Sequence, residues 1–264
     1  MVEKLKSEGK CLFCGKMYAK AGINRHLATH LTEKLESGKQ GKSFLVKVET
    51  DKRWGSSPYF LSLWIDGEAT MKVVDKFLRD IWLECCGHMS AFRDLKRKKG
   101  GYGMFGRMEA YEYLDRGEVA KYEKMMEEIS GEIPMSRKAK DVLYNGLLLE
   151  YEYDFGSSTE LNITVINTYP IKADTKIVLL SRNEPLEIMC SICGRVPATQ
   201  ICTVCMYQGD AIFCDKCAPK HTKKCPDFED YAALPVVNSP RMGVCAYTGG
   251  VIDRERDGVF VDLK

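Results

Sequence analysis

The stretch that decides the fold is Leu147-Leu-Leu-Glu-Tyr-Glu-Tyr-Asp-Phe-Gly-Ser-Ser-Thr-Glu-Leu-Asn-Ile-Thr-Val-Ile-Asn167. It reads as a β-hairpin whose turn lies across Phe155-Gly-Ser-Ser158. Before the turn, Leu149, Tyr151, Tyr153 and Phe155 alternate with Glu150, Glu152 and Asp154. A period of two places the first set on one face of a strand and the acids on the other. Two further runs, KSFLVKVET (42–50) and PYFLSLWID (58–66), are rich in β-branched and aromatic residues and flank the turn-like KRWGSSP (52–58). TKIVLLS (175–181) adds a fourth strand candidate. Between them, Val74, Phe77, Leu78, Ile81, Cys85 and Met89 recur at steps of three and four, which predicts a helix over 70–89 with Thr70 as its N-cap. A polar helix or helix pair is expected over 108–130. This order predicts an α+β body, an antiparallel sheet packed by one long helix.

The chain outside the body is organised by cysteine. There are 12 cysteines in 264 residues, and Cys-x-x-Cys occurs at 11/14, 190/193, 202/205 and 214/217. Two thiolates on one tight turn can point at a single ion, so this spacing favours tetrahedral zinc over disulfides. Four segments follow: a finger over 1–38 closed by the polar ESGKQGK (36–42), the body over 42–182, a dense Cys/His module over 186–230, and a turn-rich tail over 231–264 expected to pack on the body. The tail ends in a short strand candidate, GVFVDL (258–263).

In the N-terminal segment the order is Cys11-x2-Cys14-x11-His26-x3-His30. The histidines are four apart and share one helix face, so they can close a tetrahedron with the cysteine turn. A unit of about 30 residues buries little core, and the metal supplies its folding energy. This resembles the Cys2His2 zinc finger, with a middle spacer one residue short of the commonest form. In the usual register, Ala19, Gly22 and Arg25 face a DNA groove, and alanine and glycine make no bidentate base contact. Lys16, Lys20, Arg25 and Lys34 could instead contact phosphates, which position a protein without specifying sequence.

The C-terminal module runs Cys190-x2-Cys193-x8-Cys202-x2-Cys205-x8-Cys214-x2-Cys217-x3-His221-x3-Cys225. Eight ligands make two sites, either sequential or interleaved. The interleaved cross-brace, 190/193 with 214/217 and 202/205 with 221/225, is preferred. A sequential second site would crowd four ligands into twelve residues. With Phe213 ahead of Cys214, the ligand order resembles HIT-type fingers and, less closely, MYND and B-box modules. That resemblance implies protein binding. Every coordination position is filled, so no catalytic zinc is expected.

The phrases FLRDIWLECCGHMSAF (77–92) and LLLEYEYDFG (147–156), with the strand–strand–helix order, resemble the Ri-plasmid ORF-3-like family, also labelled a TnpR-like insertion-element passenger. The resemblance covers roughly residues 42–168, and the tail LPVVNSPRMGVC (234–245) looks like that of larger zinc-bearing members. It implies an α+β sheet-and-helix fold and no established reaction. Ser157 to Leu161 depart from the acidic residue, tryptophan and histidine that usually follow the hairpin turn, and residues 108–136 look like an insertion.

Cys85 and His88 would be three apart on a helix, but Cys85 on the apolar stripe reads more simply as a small buried hydrophobe. Cys85, Cys86, His88 and Cys245 could form a fourth set of three cysteines and one histidine if the tail folds back. Vicinal cysteines rarely ligate one ion, so three zinc ions per chain are expected. GYGMFG (101–106) matches a dinucleotide-loop pattern, yet follows a basic run and not an apolar strand, so it reads as a turn. Glu150, Glu152 and Asp154 could hold a divalent cation; a solvated sheet face is the plainer reading. In RDLKRKKGGYG (93–103), Lys96, Arg97, Lys98 and Lys99 lie beside Tyr102, a composition suited to phosphate contact and base stacking.

Formal net charge is only +2, so any polyanion site is local: residues 1–42 carry net +5 and residues 108–132 net −5. No apolar run approaches the ~18 residues of a membrane span, and the first residues carry no signal-peptide pattern. The sequence is thus expected to encode a cytoplasmic, non-enzymatic zinc protein. Its expected role is association with DNA or structured RNA, the ribosome included, through backbone contacts. The alternative is a protein-interaction adaptor working through the C-terminal module. Oligomeric state is not indicated.

Overall fold

A computed structural model of the chain describes residues 7–50, 58–94 and 103–252. The finger comprises β1 (Glu8–Lys10), β2 (Met17–Ala19) and α1 (Ile23–Glu33). The body follows with β3 (Gln40–Thr50), β4 (Phe60–Asp66), α2 (Met71–Leu78), β5 (Ser90–Asp94), α3 (Gly103–Asp115), α4 (Val119–Ser130), β6 (Glu132–Ile133), the single turn α5 (Ala139–Val142), β7 (Leu148–Tyr153), β8 (Thr159–Ile171) and β9 (Ile177–Arg182). The C-terminal module holds β10 (Gln200–Cys202), β11 (Ile212–Phe213), α6 (Ala218–Thr222) and β12 (Ala233–Pro235). The fold is α+β. No helix among the described residues is long and apolar enough to cross a membrane.

The body is one antiparallel sheet in the order β6-β5-β7-β8-β3-β4-β9. Its central strands are apolar at both parities because both faces are covered. Phe44, Val46, Val48, Leu61, Leu63 and Ile65 face a core closed by Val74, Leu78, Ile81 and Trp82. Leu45, Phe60 and Trp64 face the other way, against Ile23, Leu27 and Leu31 of α1. The finger is therefore a layer of the fold and not a tethered bead. Leu27 has no exposed surface, so Leu27→Ala is expected to cost about 2–5 kcal/mol. Urea unfolding of the sheet should move to a lower midpoint; an unmoved midpoint would show that the finger is energetically separate.

The expected helix over 70–89 is shorter than its periodicity suggests. α2 passes into a wider π turn at Arg79–Leu83, and Glu84 is already extended. The Arg79 guanidinium holds this exit by bonding Asp75, Glu84, the His88 carbonyl and Ser90 Oγ. Cys85 consequently leaves the helical stripe, and Met89 is exposed. Thr70 sits at the N-cap without a side-chain cap bond. The chain then returns as β5, an edge-side strand that sequence patterning did not indicate. The polar 108–130 segment is a helix pair, with α3 beginning at Gly103, so the end of GYGMFG is helical and not a turn.

The expected hairpin forms, with Tyr151 opposite Leu161 and Tyr153 opposite Thr159. Its end differs. Asp154 has φ +66°, leaves the strand and is buried, while Phe155 is 39% exposed. Residues after 230 first complete the module's sheet, β12 pairing with β10, and then cross the body. Ser239 Oγ bonds the Trp82 carbonyl at 2.6 Å, and Asn238 Oδ1 accepts from Asn183 Nδ2 at 2.6 Å. The strand candidate at 258–263 lies outside the described residues.

Candidate metal centres

A tetrahedral ion with metal–sulfur bonds near 2.3 Å needs donor–donor edges of about 3.8 Å, and somewhat less where nitrogen replaces sulfur. Among the described residues, four Cys/His groups gather their donor atoms within 4.8 Å of one another, close enough for a small inward shift to reach those edges.

The first is Cys11, Cys14, His26 and His30. The β1–β2 turn presents the cysteines and α1 the histidines. Gly15, at φ +75°, lets the chain reverse straight after Cys14. Cys14 Sγ lies 3.2 Å from His26 Nε2, which is 3.1 Å from His30 Nε2. Both rings thus turn Nε2 inward, and His30 Nδ1 faces Glu33 at 3.4 Å, the carboxylate–histidine arrangement that fixes a ligand ring. Tyr18 stacks on His26 at 4.0 Å. The Lys16 backbone N–H and the nearby histidines hold the Cys14 thiol down at about 6, which favours the thiolate that a metal requires.

The C-terminal eight separate as Cys190, Cys193, Cys214 and Cys217, and Cys202, Cys205, His221 and Cys225. This is the interleaved arrangement. Cys193 and Cys214 sulfurs are 4.0 Å apart, as are those of Cys202 and Cys225. Burial opposes ionisation of Cys190, but the Cys193, Cys214 and Ile192 backbone N–H groups outweigh it and bring the thiol to about 6. In the same cluster burial and neighbouring thiols push Cys217 up to about 12, and Cys205 in the other cluster to about 12. Such crowded thiols ionise together only around a cation. The second cluster has a more direct sign. His221 Nε2 is buried with no hydrogen-bond partner, the ring held by Phe213 (4.2 Å, stacked) and Phe228 (5.1 Å, edge-on). An unpaired buried nitrogen among three cysteines is what a metal would satisfy. The donor sets of all these groups are compatible with zinc.

The fourth group is Cys85, Cys86, His88 and Cys245, brought together because the tail folds back over the exit from α2.

The other predicted residues fare unevenly. Lys16 and Arg25 are exposed on the finger. Lys20 is not available to phosphate as expected, because its ammonium pairs with Glu49 of β3 at 2.8 Å. Lys34 bonds Asp174 at 3.0 Å and lies over the Trp64 ring. Lys96, Arg97, Lys98 and Lys99 lie outside the described residues. Glu150, Glu152 and Asp154 do not form a cation site. Arg93 bonds Glu150 at 3.5 Å and Glu152 at 2.5 Å, whereas Asp154 turns away to Arg241. Sequence reasoning missed that last pair. Arg241 is fully buried, 2.7 Å from Asp154 Oδ2, 3.0 Å from Thr159 Oγ1 and over the Tyr153 ring. Its one sequence signal, an arginine inside the apolar-flanked SPRMGVC, does not reveal a partner 87 residues away.

No family model matches the chain, and no curated protein matches it. Among solved structures, the crystal structure of the protein of unknown function MM3350 from Methanosarcina mazei Go1 is similar over 54% of this chain and 68% of its own, at 14% identity and a TM-score of 0.35. These comparisons add no support to the ORF-3-like resemblance.

Proposed function

We propose that this chain is a non-enzymatic scaffold carrying structural zinc at the finger's two-cysteine, two-histidine group and at both groups of the C-terminal module, and that this module docks a protein. Protein donors fill each tetrahedron, which leaves no open position for chemistry. The observation that carries the docking reading is the module's surface. Met189, Ile192, Val196, Val204, Tyr207 and Tyr231 are all exposed, Tyr207 by 85% and Tyr231 by 68%. Exposed apolar and aromatic side chains gathered on one small module suit a binding surface, and tyrosine is favoured at binding hot spots. A cleft of about 680 Å³ opens beside the His221 group, with Ile192, Gln208, Lys220 and Lys224 in its walls. Thiolate ligands suit a reducing compartment, and we place the protein in the cytoplasm.

The second reading, backbone contact with DNA or RNA, is favoured by exposed Lys16 and Arg25, with Lys96–Lys99 as further contacts. It is weakened by the Lys20–Glu49 pair. Gentle purification of the zinc-loaded chain, followed by a salt wash, separates the two. A protein partner held through apolar contacts should survive salt and should be lost by Tyr207→Ser with Tyr231→Ser, at unchanged zinc content. Nucleic acid that leaves steeply with salt, and is absent from Lys16→Glu with Arg25→Glu, would put the second reading first.

A further inference from the structure

The Cys85–Cys86–His88–Cys245 group differs from the other three. It joins Cys245 to residues 157 or more positions away, and Cys86 and Cys245 are exposed. Cys86 Sγ lies 3.6 Å from Cys245 Sγ, which lies 3.6 Å from His88 Nε2. Both distances fit edges of a tetrahedron around one ion. The objection to vicinal cysteine ligands is that neighbouring side chains in extended chain diverge. Here the backbone bends at Cys85–Cys86, and Gly87 takes φ +73° with open space around it, so 85, 86 and 88 converge.

Three features point to this spot. Among the described residues, the non-glycine positions with positive φ are Cys245 (+54°), itself in the group, and Asp154 (+66°), whose Oδ2 lies 3.6 Å from His88 Nε2. Backbone strain of this kind persists where surrounding interactions over-determine it. The buried Arg241 Nη2 reaches Cys85 Sγ at 3.5 Å while bonding Asp154. A cationic N–H aimed at a cysteine sulfur is an outer contact that supports a thiolate ligand. Finally, the tail is already seated against the body on the far side of Cys245. Val251 N–H donates to the Asp80 carbonyl at 2.6 Å, and a Cβ at Gly250 would come within 2.3 Å of the Ile81 carbonyl oxygen.

We propose that Cys85, Cys86, His88 and Cys245 hold a fourth zinc ion, which pins the C-terminal tail across the seam between the end of α2 and the β7–β8 hairpin. All four donors come from the chain, so the ion is a clasp and not a reaction centre. Its exposed sulfurs make it the ion most open to chelators. It is independent of what the module binds, because its test contains no partner.

The test is a zinc count on the full chain, purified under reducing conditions with zinc supplied, by native mass spectrometry and elemental analysis. Wild type should carry one ion more than either Cys245→Ser or Cys86→Ser. In both variants residues 240–252 should exchange amide hydrogens faster, with β3 and β8 unchanged. Using two variants guards against one that misfolds. Equal counts in wild type and both variants would overturn the proposal. So would a Cys86–Cys245 disulfide in peptide maps of the native protein.

Discussion

His221→Ala is expected to unfold the C-terminal module while the sheet stays folded. The module's core around this site is Cys202, Phe213, Ala218, Cys225, Phe228 and Ala232: two ligands, two aromatic rings and two alanines. So little apolar area cannot offset the ordering of some 40 residues. On the proposed zinc reading the metal supplies the difference, since structural zinc is worth about 10–16 kcal/mol in finger-sized units. Removing the imidazole takes away one donor and also the surface on which Phe213 and Phe228 pack. Amide exchange over residues 200–235 should rise to unfolded rates, with the β3–β8 ladder still protected. Phe213→Leu keeps every donor and should keep its zinc. Full protection of β10 and β12 in His221→Ala would mean that packing alone holds the module.

Arg241→Ala carries the second large effect, about 3–5 kcal/mol. The guanidinium is fully buried, and its removal takes the buried cation from the Asp154 carboxylate, leaving the Gly156 and Ser157 N–H groups (3.1 and 3.2 Å) and His88 Nε2 at 3.6 Å. The effect has a pH signature. Burial acts to raise the Asp154 carboxyl, but Arg241 and those two N–H donors outweigh it and hold the group below its usual value. A carboxyl depressed in the folded state contributes stability that is complete above the unfolded value of about 3.9. That contribution is lost as pH falls through the lower folded value. Wild type should therefore lose stability over this acid range by more than Arg241→Ala does. Chemical denaturation at pH 7 and through the acid range measures both quantities, and parallel profiles would remove the pair from the account.

These two sites differ in how far the sequence discloses them. Metal ligands are legible because coordination demands particular residue types at particular separations, and Cys-x2-Cys with His-x3-Cys survives any detail of the surrounding chain. The hairpin is legible because burial of one face imposes a period of two. Arg241 is not, because its partner is chosen by tertiary contact alone. The second face of the sheet lay half in view. Phe60, Leu61, Leu63, Trp64 and Ile65 are apolar at both parities, which signals cover on both sides, but only the fold shows that α1 is the cover. The helix over 70–89 overran because Cys85 and Met89 continue the numerical period after Glu84 has left the helix. Strand β5 went unseen because five residues beginning Ser-Ala and ending Arg-Asp carry no alternation strong enough to register.

The interleaved reading makes the seven cysteines from Cys190 to Cys225 structural metal ligands. Alkylation footprinting with peptide mass spectrometry tests it most directly. In zinc-loaded wild type, Cys190, Cys193, Cys202, Cys205, Cys214, Cys217 and Cys225 should resist the reagent, and a strong chelator should expose all seven. In Cys214→Ser, reactivity should appear at Cys190, Cys193 and Cys217 ahead of Cys202, Cys205 and Cys225. Reactivity at Cys217 and Cys225 with Cys190 still protected would mean sequential sites. Labelling of all seven in the zinc-loaded wild type would contradict metal binding itself.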